Sequence, residues 1–542
     1  MDKILINGKI LTMMKEKEFV QGIAIKDGKI VDLGQNEDVL ALKDPSTEVI
    51  DLKGKLALPG FIDSHMHLIG YADSLQKVNL KDVKSIEELI LKTKMFIEDK
   101  KIPKGQWVLG YNWNEENFTG RKILSKHDLD RISKDHPVSL TRCCHHVYAV
   151  NSKALEFIGV NKDIPSIDGG KIVVDSNGEA TGLLLEQAVR IVQNAIYEKD
   201  VNQLKKDIIE AVDKAVAQGI TSICTDDFIC IPSNDYEKVT QVYKELIEEG
   251  NLKIRINEQC RISKKHILDE FIEKQYHHKK IGEFFTMGPL KILLDGTLGA
   301  RTAYVYPPYE DDKDNNGIVL YNEQELDNLV ITAHKAGMQV AIHCIGNKAI
   351  EMALNSIEKA QHLYGRKDCR HQIIHAQLTT EALMERFADL KVIANTQPIF
   401  LNNDLHIVEE RVGKDRAKWT YNWNTMRKKG INLAFGSDCP IEPLDVLPNL
   451  HCAINRQDLE GYPKGGWLPE EKLTVYEAVD GFTRGAAYGT FEENIKGAIG
   501  KGMYGDIVVL QEDIFSIPCE LIKDVKVYMT IVNGEVVYRE ED

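Results

Sequence analysis

The feature that most limits how this chain can fold is a regular alternation of helical and strand patterns from about residue 203 to residue 438. Leu204, Ile208, Ala211, Val212 and Ala215 recur at helical spacing and stop at Gly219, and residues 220–225 follow as an apolar strand. Val239, Val242, Tyr243, Leu246 and Ile247 repeat the pattern up to Gly250, before a strand at 252–256. Further strands are predicted at 290–295, 339–343, 372–375, 392–396 and 433–438. With the segment ending at His65 they make eight. Alternation on this scale predicts a parallel sheet of α/β class, and eight units predict a (β/α)8 barrel. A doubly wound open sheet is the alternative, but no GxGxxG supports it.

Flanking this repeat, both chain ends carry short strands. Residues 4–6 and 9–12 are separated by Asn7-Gly8, residues 22–25 and 29–31 by Asp27-Gly28, and residues 525–532 and 535–538 by Asn533-Gly534. Asn-Gly and Asp-Gly between β-branched runs predict hairpins. Neither set is large enough to stand alone, so residues 1–57 and 500–542 are expected to form one composite β-sandwich around a barrel domain at 58–499. Residues 69–200 break the rhythm and are expected to be an inserted α+β subdomain after the first barrel strand, with a helix at 85–100 and strands at 107–111, 137–142 and 170–174.

Composition narrows the function classes. A net charge of −15 spread along 542 residues disfavours a broad nucleic-acid-binding face. No apolar run approaches the ~20 residues a bilayer helix needs, and the N-terminus lacks the basic-then-apolar pattern of a signal peptide. The expected setting is the cytoplasm, with a small molecule as partner. Ten cysteines without CxxC spacing read as buried thiols. A homodimer is compatible with the sequence, which does not fix oligomeric state.

His65 and His67 flank one residue at a predicted strand end, so both side chains fall on one face and can converge on a metal ion. Two neighbouring histidines in a chain of sixteen are more often surface or core residues. Lys291, His343, His375 and Asp438 also fall at predicted strand C-termini, the end at which barrels build active sites. Each has an ordinary structural explanation alone. Nothing structural requires imidazoles on three strand ends at once.

The segment from Gly60 to His67, Lys291 in the run 291–302, His343 in His-Cys-Ile-Gly-Asn, His375 in His-Ala-Gln and Gly436-Ser437-Asp438 together resemble the amidohydrolase superfamily. The phrase at 295–302 is similar to its YtcJ-like branch, which includes N-substituted formamide deformylases. The resemblance implies a divalent metal, zinc foremost, as one or two ions that acidify a bound water and polarise a carbonyl. It assigns His65, His67 and Asp438 to the more buried ion, His343 and His375 to the second, and Asp438 also to proton transfer. It implies carboxylation of Lys291 as a bridging ligand, with pairing of Lys291 to a carboxylate such as Asp295 as the alternative. His146 corresponds to a family histidine that reaches the substrate, although Cys144-His145 here replaces the usual Asp-Gly. Arg301 is a candidate for binding a substrate carboxylate or for a loop salt bridge, and Trp113 a candidate pocket wall. The expected activity is hydrolysis of an amide or N-formyl carbon–nitrogen bond other than a peptide bond. A deaminase or lactonase on the same site, and a catalytically silent binding scaffold, are the alternatives.

Overall fold

A computed structural model describes residues 1–160, 165–196, 198–231, 234–365 and 368–540. Residues 161–164 and 197 of the expected insertion, and 541–542 of the C-terminal segment, lie outside them. The chain divides into two compact units, residues 1–69 with 208–542, and residues 70–207.

In the larger unit, eight parallel strands follow one another across a single sheet: Phe61–Met66, Ile220–Thr225, Arg255–Arg261, Phe285–Leu293, Val340–Cys344, Gln372–His375, Ile393–Thr396 and Leu433–Phe435. They are numbered here as barrel strands one to eight. The sheet nearly closes, because just past strand eight the Asp438 N–H donates to the His65 carbonyl at 2.8 Å. Gly436 is required at this seam: a Cβ there would lie 2.6 Å from the His65 nitrogen. The helices between strands begin where the sequence supplies caps. Asn322 accepts from the Glu325 N–H ahead of Glu323–Lys335, and Thr380 from the Leu383 N–H ahead of Glu381–Leu390.

Both chain ends contribute strands to the same unit. A four-stranded sheet holds Lys3–Ile6, Gly22–Lys26, Lys29–Gly34 and Glu48–Asp51. A six-stranded sheet joins Lys9–Leu11, Phe19–Val20 and Leu56–Pro59 to Ile507–Leu510, Val527–Val532 and Glu535–Arg539. One apolar cluster takes Leu5, Ile23 and Ile25 from the first sheet and Ile10, Val509, Met529 and Ile531 from the second. Asp27-Gly28 and Asn533-Gly534 do close hairpins, pairing Lys26 with Lys29 and Val532 with Glu535. Asn7-Gly8 does not. It carries the chain from one sheet to the other, since Lys3–Ile6 and Lys9–Leu11 have no partner in common. The left-handed backbone at Asn7 (φ 53°) serves a crossover as readily as a hairpin, and only the missing cross-strand pairing tells them apart.

The smaller unit holds a six-stranded sheet ordered Gly170–Val174, Ala180–Glu186, Val147–Val150, Val138–Arg142, Val108–Trp113, Val78–Asn79. Its helix Ile86–Asp99, capped by Ser85, buries Leu89 and Ile90 in the same cluster as Val108, Val138 and Leu140. Among the described residues no helix is long and apolar enough to cross a membrane, and no disulfide joins any two cysteines.

Candidate metal centre

Barrel strand one is buried throughout, and the polar side chains at its end are held by hydrogen bonds that fix their tautomers. His65 Nδ1 lies 2.7 Å from Gln259 Oε1, while Gln259 Nε2 donates to the Ser64 carbonyl at 3.1 Å. The amide oxygen can only accept, so Nδ1 carries the proton and Nε2 keeps its lone pair. His67 Nδ1 likewise donates to the Asp226 carbonyl at 3.1 Å, which turns Nε2 toward Asp438, to share a proton with it or to give its lone pair to a cation. The two Nε2 atoms then lie 3.4 and 3.2 Å from one atom, Asp438 Oδ1. The ligand atoms of His65, His67 and Asp438 all lie within 4.8 Å of one another.

Asp438 is aimed by the turn that carries it. Ser437 donates to the Asp63 carboxylate through its N–H at 3.1 Å and its Oγ at 2.5 Å, and Asp438 itself sits at φ 60°, a conformation rarely adopted by a non-glycine residue. Burial pushes Asp63 up to about 7. Burial also holds His65 well below its ordinary range, helped by the Lys291 charge. His67 moves the other way: burial opposes its charged form, but the hydrogen bond and charge of Asp438 prevail and raise it.

Lys291, only 2% exposed, places Nζ 3.0 Å from His65 Nε2, and burial pushes its pKa down to about 8. Its nearest carboxylate is not Asp295, the pairing weighed from sequence, but Asp226, at 4.0 Å. Asp295 is instead engaged by the N–H groups of Tyr304, Ile345 and Gly346. Asp226 is fully buried, and neither of its carboxylate oxygens has a hydrogen-bond partner among the described residues. Its charge is faced by two cations, Arg261 at 3.5 Å and Lys291 at 4.0 Å, without a hydrogen bond to either. The converging atoms of His65, His67 and Asp438 make a donor set that fits a divalent cation.

His375 repeats the pattern of His65, with Nδ1 2.7 Å from Gln397 Oε1 and burial holding its pKa well below the ordinary value. Its ring centroid lies 5.9 Å from that of His65 and 4.4 Å from that of His343. His343 differs. Its Nε2 donates to the Gly296 carbonyl at 3.1 Å, leaving Nδ1 as the acceptor, and burial followed by the Lys291 charge pushes its pKa down to about 3.

Each of the three residues expected to contact substrate has protein partners of its own. Trp113 is a core side chain of the smaller unit, fully buried, with Nε1 donating to the Leu140 carbonyl at 2.9 Å, so it forms no pocket wall there. Arg301 is bound in a fork to Asp311, at 3.1 and 2.6 Å, the loop salt bridge that was its other reading. His146 is exposed and pairs with Glu186 at 3.0 Å. Sequence reading missed Gln259, Gln397 and Asp226. A sharper signal for Gln259 was present, since Asn257, Gln259 and Arg261 alternate along strand three beyond its expected end at residue 256.

A second group, His334, Cys369 and His371, also meets metal-binding distances. Its hydrogen bonds close it. His371 Nδ1 accepts from the Val340 N–H at 3.0 Å, so Nε2 carries the proton and donates to His334 Nδ1 at 2.9 Å, and His334 Nε2 donates to the Gly365 carbonyl at 3.1 Å. All four ring nitrogens are thereby used.

Eight parallel strands with imidazoles and a carboxylate gathered at their C-terminal ends mark the chain as an α/β barrel with a candidate metal centre. The model of the amidohydrolase family matches residues 48–538, and the chain belongs to that family. It is 34% identical to YtcJ of Bacillus subtilis (strain 168), named as an amidohydrolase, over 99% of both chains. It is 24% identical to N-substituted formamide deformylase of Arthrobacter pascens, over 99% of this chain and 98% of that one. The crystal structure of an uncharacterized metal-dependent hydrolase from Pyrococcus horikoshii OT3 matches with a TM-score of 0.78 at 30% identity, covering 95% of this chain and 99% of the other.

Proposed function

We propose that the chain is a metal-dependent hydrolase that cleaves a carbon–nitrogen bond, of amide or N-formyl type, in a small molecule. The observation that carries this reading is the convergence of two imidazole lone pairs on one oxygen of Asp438, beside the unsatisfied carboxylate of Asp226. The similarity to a formamide deformylase supports the bond type. His65, His67 and Asp438 would hold the ion, for which zinc suits the donors; Lys291, His343 and His375 border it. Such an ion supplies Lewis acidity toward a carbonyl and makes water more acidic.

The chain's own residues supply the rest. Asp438 accepts a proton from the attacking water and returns it to the leaving nitrogen, a role that its rigid turn and its fixed distance from both histidines support. His343 and His375 stay neutral near pH 7 and offer lone pairs rather than charge. The lowered pKa of Lys291 favours the neutral amine that carboxylation needs, and a carboxylated Lys291 is the form a two-ion centre would use. The test is elemental analysis of the purified chain and of His65→Ala, paired with a panel of formamides and simple amides. One or two equivalents of divalent metal, lost in the variant, with turnover of at least one panel member, is the expected result. A wild type that stays metal-free after growth with added zinc would sink the reading.

A further inference from the structure

Barrel strand three ends in a side chain that the proposed chemistry leaves idle. Arg261 pairs in register with Lys291 on strand four, so the two side chains share a face of the sheet, and it lies two residues beyond Gln259, which holds His65. Period-two alternation therefore points Arg261 toward the same mouth as the candidate ligands, one step further out. Its guanidinium lies 3.5 Å from Asp226 through Nη1, without a hydrogen bond, and the side chain keeps 23% of its surface exposed. The Arg261 charge reaches Lys291 and His343, pressing both toward their neutral forms.

Contrast the other arginine considered for anion binding. Arg301 has both arms of its fork occupied by Asp311, and Arg411 also donates to that carboxylate. Among the described residues the five donors of Arg261 make no hydrogen bond, and its ion-pair partner is Asp226 at 3.5 Å. A cation left this open at the strand ends that carry the candidate ligands is matched to a planar anion that can take two parallel N–H groups.

We infer that Arg261 receives a substrate carboxylate, so that the substrate class is an N-acyl or N-formyl compound bearing an acid group a few bonds from the scissile nitrogen, such as an N-acylated amino acid. This inference rests on the hydrolase reading for the scissile bond but not for the anion site itself. Asp226 acts as the anchor that keeps the guanidinium at the pocket mouth.

The test separates the two. Binding of N-methanesulfonylleucine and of its neutral carboxamide, neither of which carries a hydrolysable acyl group, is measured by calorimetry on the metal-loaded full chain. The expected result is a preference for the acid of at least about tenfold, because a charge-assisted pair is lost with the carboxamide. In Arg261→Met the preference should fall to within about twofold, with the carboxamide's affinity and the metal content unchanged, and Arg261→Lys should restore part of it, since charge remains but the fork is lost. Equal affinities in the wild type would overturn the inference without touching the hydrolase reading. So would a preference kept in Arg261→Met, or an equal loss of both ligands there. Acid preference in a chain that hydrolyses no N-acyl compound would uphold the anion site and overturn the hydrolase reading together with the N-acyl substrate class that rests on it.

Discussion

Barrel strand six carries a histidine at each end, and the two have opposite fates. His375, its last residue, donates through Nδ1 to Gln397 and keeps a lone pair on Nε2. His371, just before the strand begins, accepts a backbone N–H on Nδ1 and passes its only proton to His334. Both rings are buried and both have neighbours that could ligate a metal. What separates them is the direction of one hydrogen bond. A donor to Nδ1 fixes the ring as structure; an acceptor there frees the far nitrogen for chemistry.

The most damaging change to this contrast should be Asp438→Asn, which removes the shared anion of the first group. Loss of acid–base function alone should lower kcat by about 10²–10⁴-fold, and metal content by elemental analysis should fall with it. Next, Gln259→Leu and Gln397→Leu release the tautomers of His65 and His375, and metal affinity measured against a competing chelator should weaken by about 10–100-fold. His371→Ala should leave metal content as in the wild type. It should cost about 1–3 kcal/mol of unfolding free energy, because the buried Val340 N–H loses its acceptor. Metal loss in this variant would break the comparison outright.

A smaller effect follows from pH. Burial pushes His371 down to about 3, so below pH 6.5 the unfolded chain takes up a proton that the folded chain refuses. Stability therefore falls as pH drops from about 6.5 toward 3, with a slope of at most about 1.4 kcal/mol per pH unit from this one group. Chemical denaturation at several pH values should show a shallower slope in His371→Ala. The smallest expected effect is that of Arg301→Met, which removes a partly exposed ion pair and should leave the midpoint of chemical denaturation close to that of the wild type.

The barrel was legible in the sequence because its strands are short apolar runs alternating with helical patterns, several of them punctuated by glycine, and tertiary context only adjusts their ends. The candidate ligands were legible because His65, His67, His343, His375 and Asp438 fall at those ends. Their supports were not. Gln259 and Gln397 are ordinary amides until the sheet places them against a ring nitrogen, and Asp226 becomes notable only once its burial and lack of partners are known. Trp113 misled because an aromatic side chain near a loop reads alike whether it walls a pocket or fills a core. Asn7-Gly8 misled for a related reason, since a turn signal reports backbone shape and says nothing of which strands will pair.

The pairing of Leu56–Pro59 with Ile507–Leu510 also imposes an order on synthesis. A ribosome completes the first strand more than four hundred residues before the second exists, so the early strand must wait with an open edge while the barrel is made. Closing so long a loop is slow, and its entropic cost grows only logarithmically with length. A nascent chain halted anywhere before residue 507 would present that edge to other chains. The strands between residues 507 and 539 are thus the latch that covers this edge.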